Sequence, residues 1–122
     1  MDETLMLFRA LVAAAMLTVL SSPAYADARS SARQQTDFGI KVAQNGLWKE
    51  ATYWWEKAVK LDPTYAAAWN NLGIGYEQQG RFGDARQAYE KAIALDPKNA
   101  LIRENYDQFK EINERSKRRT DR

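Results

Sequence analysis

The chain is 122 residues long, the length of a single domain, and its interspersed charges (net +2) and generous aromatic content describe a folded chain rather than a disordered one. It contains no cysteine and no histidine. Disulfides, thiol chemistry, imidazole bases and most transition-metal sites are thereby excluded.

Arg9 is followed by an uninterrupted apolar run, Ala10 to Leu20, which Ser21, Ser22 and Pro23 break. Ala24-Tyr25-Ala26 then puts small residues at both positions a signal peptidase reads. The run fits the core of a secretory signal, about 7–15 residues, and is short of the roughly 20 that a membrane span needs. Asp2 and Glu3 depart from the positive leading segment of such signals. The expectation is a signal peptide over residues 1–26, cleaved after Ala26, and export to the bacterial periplasm. The alternative is an uncleaved segment that anchors the chain at the inner membrane. Cleavage removes Asp2, Glu3 and Arg9 and leaves a net charge of +3. Residues 27–31 then read as an exposed polar leader.

From Ala32 the pattern is helical. Phe38, Gly39 and Val42 share one face, and Gly46 ends the run as a helix C-terminal glycine does. Ala51, Trp55, Ala58 and Val59 line a second helix, which Leu61-Asp62-Pro63 stops. A second copy follows: Trp69, Leu72, Gly73 and Tyr76, a turn at Gly80, then Ala85, Tyr89 and Ala92, and a stop at Leu95-Asp96-Pro97. Gly39 and Gly73, Ala51 and Ala85, Trp55 and Tyr89, Ala58 and Ala92, and Pro63 and Pro97 are each 34 residues apart. That constant period with a helix–turn–helix order is a repeat signature.

On those residues the chain resembles the tetratricopeptide repeat (TPR) family, as a small exported member. The second copy carries the pattern nearly complete in Trp69, Leu72, Gly73, Tyr76, Ala85, Tyr89, Ala92 and Pro97. The first matches at Phe38, Gly39, Ala51, Trp55, Ala58 and Pro63, with Gln35 and Val42 where Trp and Tyr are usual. The resemblance implies an all-α, right-handed α-solenoid: TPR 1 over 32–65, TPR 2 over 66–99, a solvating helix over 100–116 and a basic tail over 117–122. Physically, Gly39, Gly73, Ala51 and Ala85 are small where paired helices approach, and Phe38, Leu72, Trp55 and Tyr89 fill the space around them.

After Asn99, a good N-cap residue, Ile102, Tyr106, Phe109 and Ile112 form one apolar stripe. Arg103/Asp107, Lys110/Glu114 and Glu111/Arg115 are opposite charges at i,i+4. No second helix follows, so this segment reads as the polar cap that stacked repeats need.

Nothing in the sequence supplies catalysis. Ser30, Ser31 and Ser116 fall in end segments with no histidine to activate them. Glu56 and Glu90 recur one period apart as repeat surface, and Gly73-Ile74-Gly75 sits inside a helix with no strand before it. No catalytic, cofactor-binding or metal-ligating residue is assigned, and no cofactor is implied. Trp48, Tyr53, Trp54 and Trp55 are read mainly as core and rim packing.

The resemblance implies a concave groove that binds a peptide segment or helix of a partner protein. Its lining maps to Arg33, Thr36, Ile40 and Ala43, then Ala67, Asn70, Asn71, Ile74 and Glu77, then Leu101 and Asn105. Asn71 matches an asparagine that chaperone-binding members use to hold a peptide carboxylate. Thr36, Ile40, Leu101 and Asn105 stand where the rest of that clamp would be, so the clamp is missing. The expected function is a non-enzymatic exported adaptor or scaffold. The alternative is a self-associating subunit of an envelope assembly, since two repeats fall short of the usual three. A homo-oligomer is a partner on that alternative, nucleic acid is not expected, and membrane contact follows only if the N-terminal segment is uncleaved.

Overall fold

The computed structural model describes residues 22–122 together with Glu3, Thr4 and Met6; the apolar run from Ala10 to Leu20 lies outside the described residues. Five helices follow in order: α1 (Pro23–Gln44), α2 (Trp48–Leu61), α3 (Ala66–Gln78), α4 (Phe82–Leu95) and α5 (Ala100–Thr120). They form two antiparallel hairpins and a closing helix, stacked as a right-handed α-solenoid. Gly46 and Gly80 make the two hairpin turns at φ of 76° and 72°, a conformation in which a side chain would be strained.

Inside each hairpin a glycine faces an aromatic ring. A Cβ at Gly39 would lie 2.5 Å from Trp55 Nε1, and one at Gly73 would lie 2.7 Å from the Tyr89 ring. Ala51, Ala58, Ala85 and Ala92 are fully buried beside those rings. Between the hairpins, Gly75 is the tight point: a Cβ there would meet Thr52 Oγ1 at 2.6 Å and the Trp55 ring at 2.9 Å. Leu72 and Ala88 are buried in the same cluster as Ala51 and Trp55. The step from each hairpin to the next helix is also tied by a tyrosine: Tyr76 donates to Glu56 and Tyr106 to Glu90, both at 2.8 Å. Glu56 and Glu90 are thus acceptors that fix the next helix, a role their surface pattern did not reveal.

Three expectations need correction here. The first helix begins nine residues before Ala32, and residues 27–31 belong to it rather than to a leader. Ser22 caps its N-terminus and Pro23 takes the first helical position, where its missing N–H costs nothing. Ser30 and Ser31 are therefore helical, as is Ser116. The extension is held by Arg29, whose guanidinium pairs with Asp62 and donates to Tyr25 and Thr64 hydroxyls, each at 3.0 Å. Tyr25 and Thr64 hydroxyls also meet at 2.8 Å. Burial opposes the Asp62 charge, but hydrogen bonds from Thr64 and Arg29 outweigh it and hold its carboxyl below the usual range.

Phe38 does not fill the hairpin. It is 48% exposed and packs edge-on against Trp54 at 4.6 Å, outside the buried core of the hairpin. One period on, Leu72 and Ala88 occupy the same places and are buried by α2. Gln34, Lys41 and Trp54 stand where the second repeat has Ala68, Gly75 and Ala88, so large side chains occupy the sites of close approach. Lys57 covers Trp54 at 4.8 Å.

The closing helix also differs. Its stripe is Ile102, Tyr106, Phe109 and Asn113, not Ile112: Asn113 lies one turn beyond Phe109 and is buried, while Ile112 is half exposed. The helix runs through 117–120 instead of giving way to a separate basic tail after 116. Glu111 pairs with Arg115, but Asp107 pairs with Lys110 at 3.0 Å and Glu114 with Lys117 at 3.8 Å, in place of Arg103/Asp107 and Lys110/Glu114. Exposed Asp107 stands one period after Gly73, the position at which the second hairpin closes on Tyr89.

Candidate partner-binding groove

The first helices of the units approach one another: α1 touches α3 and α3 touches α5, while α2 and α4 make no contact. The stack therefore curves with α1, α3 and α5 on its inner side. Every mapped groove residue lies on one of those three helices.

Their side chains do not all face a partner. Thr36 is 2% exposed; its hydroxyl donates to the Ala32 carbonyl at 2.8 Å, and its own carbonyl accepts from Trp55 Nε1 at 3.1 Å. Asn70 is 6% exposed and accepts from Asn105 Nδ2 at 3.1 Å, so this pair ties α3 to α5. Both belong to the scaffold, because a buried polar group must find its partner inside the fold. Ile74 is half-buried against the cluster of Ala85, Tyr89 and Phe109. Glu77 is half-buried and accepts from the Tyr89 hydroxyl at 2.8 Å. Burial first, and Glu77 second, push the Tyr89 ionisation far above its ordinary value; burial and Glu56 do the same to Tyr76.

What remains on the inner surface is a shorter set. Arg33, Ile40 and Leu101 are exposed, and Ala43, Ala67 and Asn71 are half-buried. Leu101 is the most open of the apolar members, at 63%. Tyr53, Trp54 and Phe38 do not join them; they sit at the closed first end of the stack, with Tyr53 exposed and its ring 5.4 Å from Trp54. Among the described residues there is no cluster of three or more acidic or other ligating side chains fit to hold a metal ion.

A stretch of the inner wall was missed from sequence. On α5 the stripe of Leu101 and Asn105 continues through Gln108, Ile112, Arg115 and Arg119, alternating by four and three residues. Ile112, Arg115, Ser116 and Arg119 close over Phe82 of α4 around an open hollow of about 500 Å³. The four-and-three spacing from Leu101 to Arg119 was the signal in the sequence, hidden by the placing of Ile112 in the core stripe.

Two family models match the sequence: Tetratricopeptide repeat over residues 66–99 and TPR repeat over residues 42–80. A search of the curated proteins finds no match. Among solved structures, the TPR domain of Aspergillus fumigatus Sgt2 is similar at 23% identity and a TM-score of 0.68, covering 84% of this chain and 66% of that one. The Arabidopsis OM64 TPR domain is similar at 21% identity and 0.67, covering 74% of each chain. The second TPR domain of human RPAP3, solved in complex with an HSP70 peptide, is similar at 21% identity and 0.62, covering 66% of this chain and 67% of that one. Residues 42–99 thus match tetratricopeptide-repeat models, in a chain whose helical stack has the fold of TPR domains.

Proposed function

We propose that this chain is a non-enzymatic, exported adaptor that holds a segment of another protein against its inner surface. The observation that carries the reading is a division of labour among inner-face residues. Thr36, Asn70 and Glu77 are consumed by the scaffold, while Arg33, Ile40, Asn71 and Leu101 form no side-chain hydrogen bond or ion pair among the described residues and lie along one curved face. The similar RPAP3 domain, solved in complex with an HSP70 peptide, supports a peptide segment as the partner. The carboxylate clamp is absent from this sequence, so the partner is not held by that device. Export rests on the Arg9 to Ala26 pattern and places the protein in the periplasm.

A second reading, with the N-terminal segment retained as a membrane anchor, is favoured by one feature. The Ala24-Tyr25-Ala26 motif lies within α1, where the Tyr25 hydroxyl bonds Thr64. Self-association by stacking is disfavoured, because Trp54 and Lys41 at one end and Asp107 at the other obstruct a further repeat. Affinity capture from a periplasmic extract tests the adaptor reading, comparing wild type with Ile40→Asp/Leu101→Asp. The expected result is loss of a specific set of proteins by the variant. Identical sets from both would remove the groove from the account.

A further inference from the structure

We infer that the C-terminal end of α5 is a docking site for the surface of an anionic phospholipid bilayer. This goes beyond the adaptor reading, does not depend on the groove, and puts a membrane contact outside the N-terminal segment. Helices α3 and α5 begin one period apart, at Ala66 and Ala100, but they do not end together. Ile112 stands one period after Gln78, where α3 stops, and α5 continues to Thr120. Those further eight residues add about 12 Å of helix. No residue after Asn113 is buried, so the core does not hold these last turns.

The overhang is strongly basic. The last eight residues carry five basic side chains and one acidic one, a net +4 in a chain of net +2, so the rest of the chain is mildly acidic. Arg115, Arg118 and Arg119 are three and four residues apart and share one face, and Arg122 follows just past the helix end. The four line a single open hollow of about 250 Å³. Glu111 pairs with Arg115, whereas Arg118, Arg119 and Arg122 form no salt bridge among the described residues. The helix dipole accounts for cations in the last turn, but not for Arg115 or for the alignment of all four. Arg115 and Arg119 are like charges at i,i+4, a spacing that weakens a helix. A charged face that costs the helix stability and is largely uncompensated within the fold has its complement in an anionic surface outside it.

Two features decide for a bilayer over other polyanions. The first is an apolar edge: half-exposed Ile112 and Phe82 of α4 border Arg115 and Arg119 around the larger hollow. A membrane interface takes up an apolar side chain while long cationic neighbours lay their stems along it and keep their heads at the phosphates. Guanidinium groups bind phosphate oxygens through two parallel hydrogen bonds. Nucleic acid gains nothing from such an edge. The second is openness. Of the residues that line the two hollows, only Phe82 comes from another helix, so the arginines form an open surface and not a cleft that encloses a peptide.

The chain has no cysteine, so Ser116→Cys takes one environment-sensitive fluorophore beside the arginines, and Gln87→Cys reports an exposed point on α4. Each labelled full chain is titrated with vesicles of phosphatidylcholine alone and of phosphatidylcholine with phosphatidylglycerol. The expected result is a blue shift at position 116 on the phosphatidylglycerol vesicles only, fading as salt is raised, with position 87 silent. Each cation near an anionic surface adds to the attraction, so Arg118→Gln/Arg119→Gln/Arg122→Gln should bind those vesicles about tenfold more weakly or worse. No shift at position 116, an equal shift on phosphatidylcholine alone, or an unchanged affinity in the arginine variant would each overturn the inference. Arginine-dependent binding of a soluble polyglutamate peptide, without a response to vesicles, would assign the arginines to an acidic protein segment and overturn it as well.

Discussion

Trp55 occupies the space that a side chain at Gly39 would need, with its Nε1 2.5 Å from where a Cβ would stand. The same relationship recurs one period later between Tyr89 and Gly73. Gly39→Leu and Gly73→Leu should each destabilise the fold by about 1–3 kcal/mol through overpacking. Gly83 is the internal control, because it is helical and nothing lies within 4 Å of an added Cβ. Gly83→Ala should raise stability by about 0.5 kcal/mol. Urea titrations that place all three variants at the wild-type midpoint would contradict this view of the hairpins.

Asp62 supplies a pH dependence of known sign. Its folded carboxyl titrates below the ordinary 3.8, so it contributes stability above that value and loses it as pH falls through the folded value. Asp62→Asn should cost about 1–3 kcal/mol at neutral pH, since the donors on Thr64 and Arg29 lose a charged acceptor. The gap in melting temperature between wild type and variant should narrow on acidification. A gap that stays constant into strong acid would show that the carboxylate charge is not what holds the extension of α1.

Gln35 stands where the second repeat has Trp69, and its buried Oε1 has no hydrogen-bond partner among the described residues. An unsatisfied buried acceptor is costly, typically about 1–3 kcal/mol. Gln35→Leu should therefore raise the melting temperature, corresponding to about 1 kcal/mol or more. Calorimetry showing a drop would mean that the amide is satisfied in solution.

Processing offers a test of the N-terminal proposal. Thr64 links the turn after α2 to both Tyr25 and Arg29. Thr64→Val removes those hydroxyl bonds without touching the Ala24-Tyr25-Ala26 motif. The variant should show a larger fraction of chains beginning at Asp27, read by N-terminal sequencing of exported protein. An unchanged fraction would uncouple cleavage from the folding of α1.

Much of this architecture is legible in the chain itself, because a 34-residue period in small and aromatic residues constrains both hairpins at once. Where reading failed, the reason is tertiary. Ser22-Pro23 ends an apolar run and equally starts a helix, and the contacts of Arg29 with Asp62 and of Tyr25 with Thr64 across the turn hold the helical start. Thr36 and Asn70 look like groove residues by position, yet the carbonyl of one is taken by Trp55 and the side-chain amide of the other by Asn105. Ile112 is more apolar than Asn113, but helix geometry puts Asn113 inward. With Ile112 counted as core and residues 117–122 as a separate tail, the continuation of the α5 stripe through Arg115 and Arg119 was out of sight.

Site-specific photocrosslinking in living cells tests the central claim most directly. A photoreactive residue placed at Ile40, Asn71 or Leu101 reports the inner face, and one at Lys60 or Gln87 reports exposed positions on α2 and α4. The inner-face positions should capture one common partner that the others do not. Capture of the same proteins from both faces, or from Lys60 and Gln87 alone, would contradict a groove-binding adaptor.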